Sequence, residues 1–86
     1  MIVKVVYDNN KDKELLDIIN LTIPFFIEYF NTNTIEGRKK GFQITSHWGT
    51  KTLPFIEVED NENKIIKVFY SENGNAIQQL IKWLND

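Results

Sequence analysis

Thr52-Leu53-Pro54-Phe55-Ile56-Glu57-Val58 runs a Thr-X-Pro step straight into an apolar, β-branched segment, and the rest of the chain can be read outward from that junction. The residue mix predicts a strand over Phe55 to Glu59. Asp60-Asn61-Glu62-Asn63 follows as a polar loop of hairpin length, and Lys64 to Tyr70 reads as the returning strand. Lys64 and Lys67 mark that last strand as a sheet edge, where charge discourages pairing with another chain. Beyond it, Ile77, Leu80, Ile81 and Leu84 recur at i, i+3, i+4 and i+7, the stripe of a closing amphipathic helix. Asn73 or Asn75 is its expected cap.

Upstream, Ile2 to Tyr7 is β-branched and nearly all apolar, which predicts a central strand covered on both faces. Asp8-Asn9-Asn10 is turn chemistry that also caps a helix. Leu15, Leu16, Ile18 and Ile19 then recur at helical spacing, with Asp12, Lys13, Glu14 and Asp17 expected toward water. Pro24 limits that helix, because it disfavours helical geometry at Ile23. Phe25 to Phe30 is short and aromatic, a second strand. Ile35 to Trp48 reads as a helix with a frayed end and with Ile35, Phe42 and Trp48 on one face. Gly37 and Gly41 weaken it by about 1 kcal/mol each relative to Ala.

The predicted order is βαβαββα in a single domain, residues 1–86. Two strands joined through a helix run parallel with a right-handed crossover, and the last two form an antiparallel hairpin. A four-stranded mixed sheet with helices on both faces follows.

Composition narrows the function classes. The chain has 86 residues, is 42% hydrophobic, and contains no cysteine, so disulfides, thiolate metal sites and sulfur nucleophiles are excluded. A cysteine-free chain fits a reducing cytoplasm, and Met1-Ile2-Val3-Lys4 has no signal-peptide pattern. The net charge of −2 argues against nucleic acid as a partner, and no apolar run approaches the roughly 20 residues of a membrane span.

The element order together with Thr52-Leu53-Pro54 resembles glutaredoxin, within the thioredoxin-like superfamily, and the amino-terminal domain of glutathione transferases. The resemblance implies a cis peptide at Leu53–Pro54. It implies a ligand groove in which the main chain of Leu53 pairs with glutathione, and a polar pair near Ser71 and Glu72 that holds the γ-glutamyl end. Glutaredoxins place a reactive cysteine at the first strand-to-helix turn, where this chain has Asn9-Asn10-Lys11-Asp12. Disulfide exchange begins with attack by a thiolate, so thiol–disulfide oxidoreductase activity is excluded.

The other constellations have plain readings. Tyr7 stands where some transferases keep a thiolate-stabilising hydroxyl, but an aromatic strand end with its hydroxyl in water accounts for it. His47 is the only histidine and reads as solvent-facing beside a packed Trp48. Arg38-Lys39-Lys40 reads as a solvated helix face. Glu57, Glu59, Asp60 and Glu62 lack the ligand order of a calcium loop and read as a solubilising turn, so no metal is expected. The resulting expectation is a non-catalytic, cytoplasmic adaptor that recognises a protein or peptide in a groove. That groove is formed by Tyr7, Asn9, Asn10, Thr52, Leu53, Pro54, Ser71 and Glu72. The alternatives are a glutathione or small-thiol binding domain with at most weak transferase activity through Tyr7, and a small inhibitor from a phage or other mobile element that blocks a host protein.

Overall fold

The computed structural model describes residues 1–22, 25–70 and 75–86. Pro24 and Asn73, expected as a helix stop and a cap, lie outside the described residues, as do Ser71 and Glu72. The elements are β1 (Ile2–Tyr7), α1 (Asn9–Thr22), β2 (Phe26–Asn31), α2 (Ile35–His47), β3 (Phe55–Glu59), β4 (Ile65–Tyr70) and α3 (Ala76–Asn85). They build a mixed α/β fold around one four-stranded sheet of order β2-β1-β3-β4. β1 runs parallel to β2, from Ile2 opposite Phe26 to Tyr7 opposite Asn31. β1 and β3 are antiparallel with Val6 opposite Phe55, and β3 and β4 are antiparallel with a bulge at Val58 and Glu59. β4 is an edge, as Lys64 and Lys67 predict.

Side chains alternate across a strand, so each face of the sheet can be read from one residue parity. Val3, Val5, Tyr7, Ile56, Val58 and Phe69 form one face, closed by Ile19 of α1 and by Ala76, Ile77 and Leu80 of α3. Burying an Ile, Leu or Phe side chain of this kind stabilises by about 1.5–3 kcal/mol. Trp83, outside the α3 stripe, packs edge-on against Phe69 with ring centroids 5.8 Å apart. Asn75 is the α3 cap, and its carbonyl accepts from the Gln79 amide.

The opposite face carries α2, which lies on β1 and β2. Its two glycines explain how. A Cβ built at Gly41 would sit 2.8 Å from Val6 Cγ1, and one at Gly37 only 2.1 Å from the Asn31 carbonyl oxygen. The helix loses propensity at both positions and in return lies closer to the sheet than any side chain would permit.

Four expectations need correction. Ile35 and Phe42 share a face, but that face turns away from the sheet, since Gly41 and Thr45 occupy the inward side. The α2 terminus is not frayed. The amides of Gly49 and Thr50 donate to the carbonyls of Ser46 and Thr45, with Gly49 at φ +69°, a closed left-handed cap. Asp12 is only 5% exposed, because its carboxylate turns back to accept the Asp8 amide at 3.0 Å. Glu57 and Glu59 belong to the central strand rather than to the turn and are 5% and 7% exposed. The turn itself is built by Asp60, whose Oδ1 accepts from the Glu62 and Lys64 amides.

Candidate functional site

Because Val6 stands opposite Phe55, the next positions along the two central strands are Tyr7 and Pro54, at the end of the sheet where α1 begins. Strand pairing alone therefore brings two of the expected groove residues together. Pro54 is fully buried, Leu53 and Thr52 are half-buried, and the Leu53–Pro54 peptide is cis, as the resemblance implies.

The approach to Pro54 is an ordered loop. Thr50 Oγ1 accepts from the Thr52 amide at 3.1 Å and lies 3.1 Å from the Thr52 hydroxyl, so the chain is held from the cap of α2 up to Leu53. Among the described residues, nothing hydrogen-bonds the Leu53 amide or carbonyl. Backbone groups left unpaired beside a sheet are the feature to which an extended peptide adds.

The floor of this end is fixed from β2. Thr32 donates to the Tyr7 carbonyl through both its amide, at 2.9 Å, and its hydroxyl, at 3.0 Å. Asp8 caps α1, accepting from the Lys11 and Asp12 amides through its carbonyl and from the Asn10 amide through Oδ1. The Asn9 amide instead donates outward to Asn33 Oδ1 at 2.7 Å. Asn10 is exposed on the first turn. At this helix start the side chains of Asn9 and Asn10 are neutral amides. They can donate and accept hydrogen bonds but attack nothing.

The Tyr7 ring is buried. It meets Tyr29 edge-on, centroids 6.2 Å apart, and together with Asn9, Lys13, Leu16, Asp17, Asn20 and Tyr29 it lines a cleft of about 300 Å³ between α1 and β2. Burial raises the Tyr29 hydroxyl above its ordinary pKa, helped by Tyr7 and Asp17, and that hydroxyl bonds to Asn20. The structure thus assembles Tyr7, Asn9, Leu53 and Pro54 at one end of the sheet, leaves Asn10 on the rim, and places Ser71 and Glu72 outside the described residues.

The α2 side of the sheet holds polar contacts that sequence reasoning missed. Lys4 Nζ pairs with Glu59 Oε1 at 2.9 Å, and the Trp48 indole N–H donates to Glu57 Oε2 at 2.9 Å. The Glu59 hydrogen bond raises Lys4 above its ordinary pKa against the opposing effect of burial. Only the parity was legible in the alternation of β3. Phe55, Glu57 and Glu59 share one parity, and Lys4 faces them from β1. Among the described residues no group of three or more His, Asp or Glu side chains is placed to hold a metal ion, and no helix is long and apolar enough to cross a membrane. In comparison with known proteins, the chain matches no family model, no curated protein and no solved structure.

Proposed function

We propose that this chain is a cysteine-free, glutaredoxin-like recognition domain that binds an extended segment of a protein partner at the Tyr7–Leu53–Pro54 end of its sheet. The thioredoxin-like reading is supported by a parallel β1–β2 pair, antiparallel β3 and β4, α2 packed opposite α1 and α3, and the proline step entering β3. The observation that carries the function is the Leu53 main chain beside the buried Tyr7: the Leu53 amide and carbonyl take no hydrogen bond among the described residues. Main-chain hydrogen bonds supply affinity in such strand addition, and neighbouring side chains select the sequence. Without a cysteine thiolate, no disulfide exchange follows binding.

The test is site-specific photocrosslinking in the cells the protein comes from. A benzophenone amino acid is placed at Leu53 and, as a control, at the exposed Lys82 of α3. The proposal expects a discrete crosslinked protein from the Leu53 position that is absent from Lys82. It fails if Leu53 yields no crosslink, or the same set as Lys82. A separate titration with glutathione decides the small-thiol alternative, because amide shifts confined to Tyr7, Asn9 and Leu53 at millimolar ligand would favour that reading instead.

A further inference from the structure

The outward face of α2 takes no part in the groove and carries an organised surface of its own. Between residues 35 and 51 four cations, Arg38, Lys39, Lys40 and Lys51, meet a single carboxylate, Glu36, so this segment carries +3 within a chain of net −2. On a 3.6-residue helix Ile35, Lys39, Phe42 and Ser46 fall within one arc of roughly 60°, turned away from the inward Gly41 and Thr45. Ile35 is 89% exposed and Phe42, two turns further along the same stripe, is 40% exposed. A single exposed aliphatic residue is ordinary, but two in line with basic residues between them form a pattern.

The basic residues are not equivalent. Lys40 lies on the opposite flank and is engaged by Glu36 at 2.8 Å. Arg38 borders the stripe, and its Nε–H donates to the Thr32 carbonyl at 3.1 Å, which holds the guanidinium against the helix surface. Holding it there lowers the entropy cost of binding an anion. Past Phe42 the stripe ends in a cleft of about 240 Å³ lined by Phe42, Thr45, Ser46 and Lys51.

We infer that this stripe is a docking surface for an acidic amphipathic helix of a protein partner. Two apolar residues of that helix, two turns apart, rest on Ile35 and in the Phe42–Lys51 cleft. Carboxylates between them meet Arg38, Lys39 and Lys51. Charge complementarity chooses the sign of the partner. A second copy of the chain is disfavoured, because a two-fold contact through α2 sets one +3 surface against another. A polyanionic nucleic acid is disfavoured too, since Ile35 offers phosphate nothing and the net charge of −2 repels it at long range. The inference does not depend on the groove.

The test is selection of phage-displayed random peptides of about 16 residues, long enough for roughly four helical turns, on the intact chain. Affinities of the enriched peptides are then measured at low and near-physiological salt. The expected peptides carry Asp or Glu between two apolar positions, weaken with salt, and shift the amide signals of Ile35, Lys39 and Phe42. They lose about tenfold in affinity, the scale of one lost interface anchor, to an Arg38→Glu/Lys39→Glu variant and separately to Ile35→Ser. All three positions are exposed, so each variant is checked for an otherwise unchanged amide spectrum. The proposal is overturned if no peptide binds, if enriched peptides are basic or map elsewhere, if both variants bind them unchanged, or if a short single-stranded RNA binds the surface more tightly at the same salt.

Discussion

Replacing Gly41 by Ala sets two effects of opposite sign against each other. In an exposed helix the change gains about 1 kcal/mol of propensity. Here the new Cβ would lie 2.8 Å from Val6 Cγ1, 3.6 Å from Phe30 Cβ and 3.7 Å from Thr32 Cγ2. Val6 is fully buried in a central strand, and its β-branched side chain cannot swing aside. Overpacking of this kind costs about 1–3 kcal/mol, so a net loss of about 1 kcal/mol is expected, a fall in Tm of about 4–8 °C for a domain this small. The decisive version is a cycle with Val6→Ala. Alone, that variant loses buried methyl groups and leaves a cavity, costing about 1–3 kcal/mol. In its background the Gly41→Ala clash is gone and the propensity gain remains, so the second substitution becomes stabilising. Urea unfolding of the four proteins, with m checked for constancy, gives a predicted coupling of about 1–2 kcal/mol. Additive effects, or a Gly41→Ala protein more stable than the parent by the full helix-propensity gain, would refute the close approach of α2.

Two further expectations concern the buried charges. Lys4→Met keeps the apolar stem but leaves the nearly buried Glu59 carboxylate unpaired, and should destabilise by about 1–3 kcal/mol, largely recovered by adding Glu59→Gln. Because Lys4 is held above its ordinary pKa, this contribution is complete at neutral pH and is lost only as pH rises through the raised value. Denaturation from neutral to strongly alkaline pH checks it, and an unchanged midpoint in Lys4→Met at neutral pH would contradict it. Asp12 has the opposite linkage. Burial raises its pKa, so the native state holds this proton better than the unfolded chain. Stability therefore falls as pH rises from the ordinary carboxylate value through the raised one. Asp12→Asn, which can still accept the Asp8 amide, should remove that fall and match or exceed the parent at neutral pH. A variant that keeps the same pH slope would show that Asp12 is not its source.

Periodicity was sufficient for the element order, because most of the strands and helices bury a face whose spacing is written in apolar residues. The β-branched run of β1 reads as a central strand and is central, and Lys64 and Lys67 mark a true edge at β4. Periodicity misled where the inward-facing residues were not apolar. α2 approaches the sheet through Gly37, Gly41 and Thr45, so its hydrophobic residues pointed to the wrong side. Glu57 and Glu59 looked like surface charge because a partner cation on another strand, Lys4, is visible only once register is known. Asp12 looked solvated because a carboxylate turning back on its own helix start leaves no mark in spacing. The candidate groove was legible in part. Tyr7 and Pro54 meet because β1 and β3 pair, which followed from the fold, whereas the lack of a partner for the Leu53 main chain among the described residues is not written in any spacing.

Amide hydrogen exchange at Leu53 tests the recognition claim at its source. β3 lies between β1 and β4, so the amides of Ile56 and Val58 should exchange slowly, near the limit of global unfolding, while Leu53 exchanges almost as fast as an unstructured chain and slows only when the crosslinking partner is bound. A Leu53 amide as protected as Ile56 in the free chain would mean that its hydrogen bond is already taken, leaving no main chain at that position for a partner to pair with.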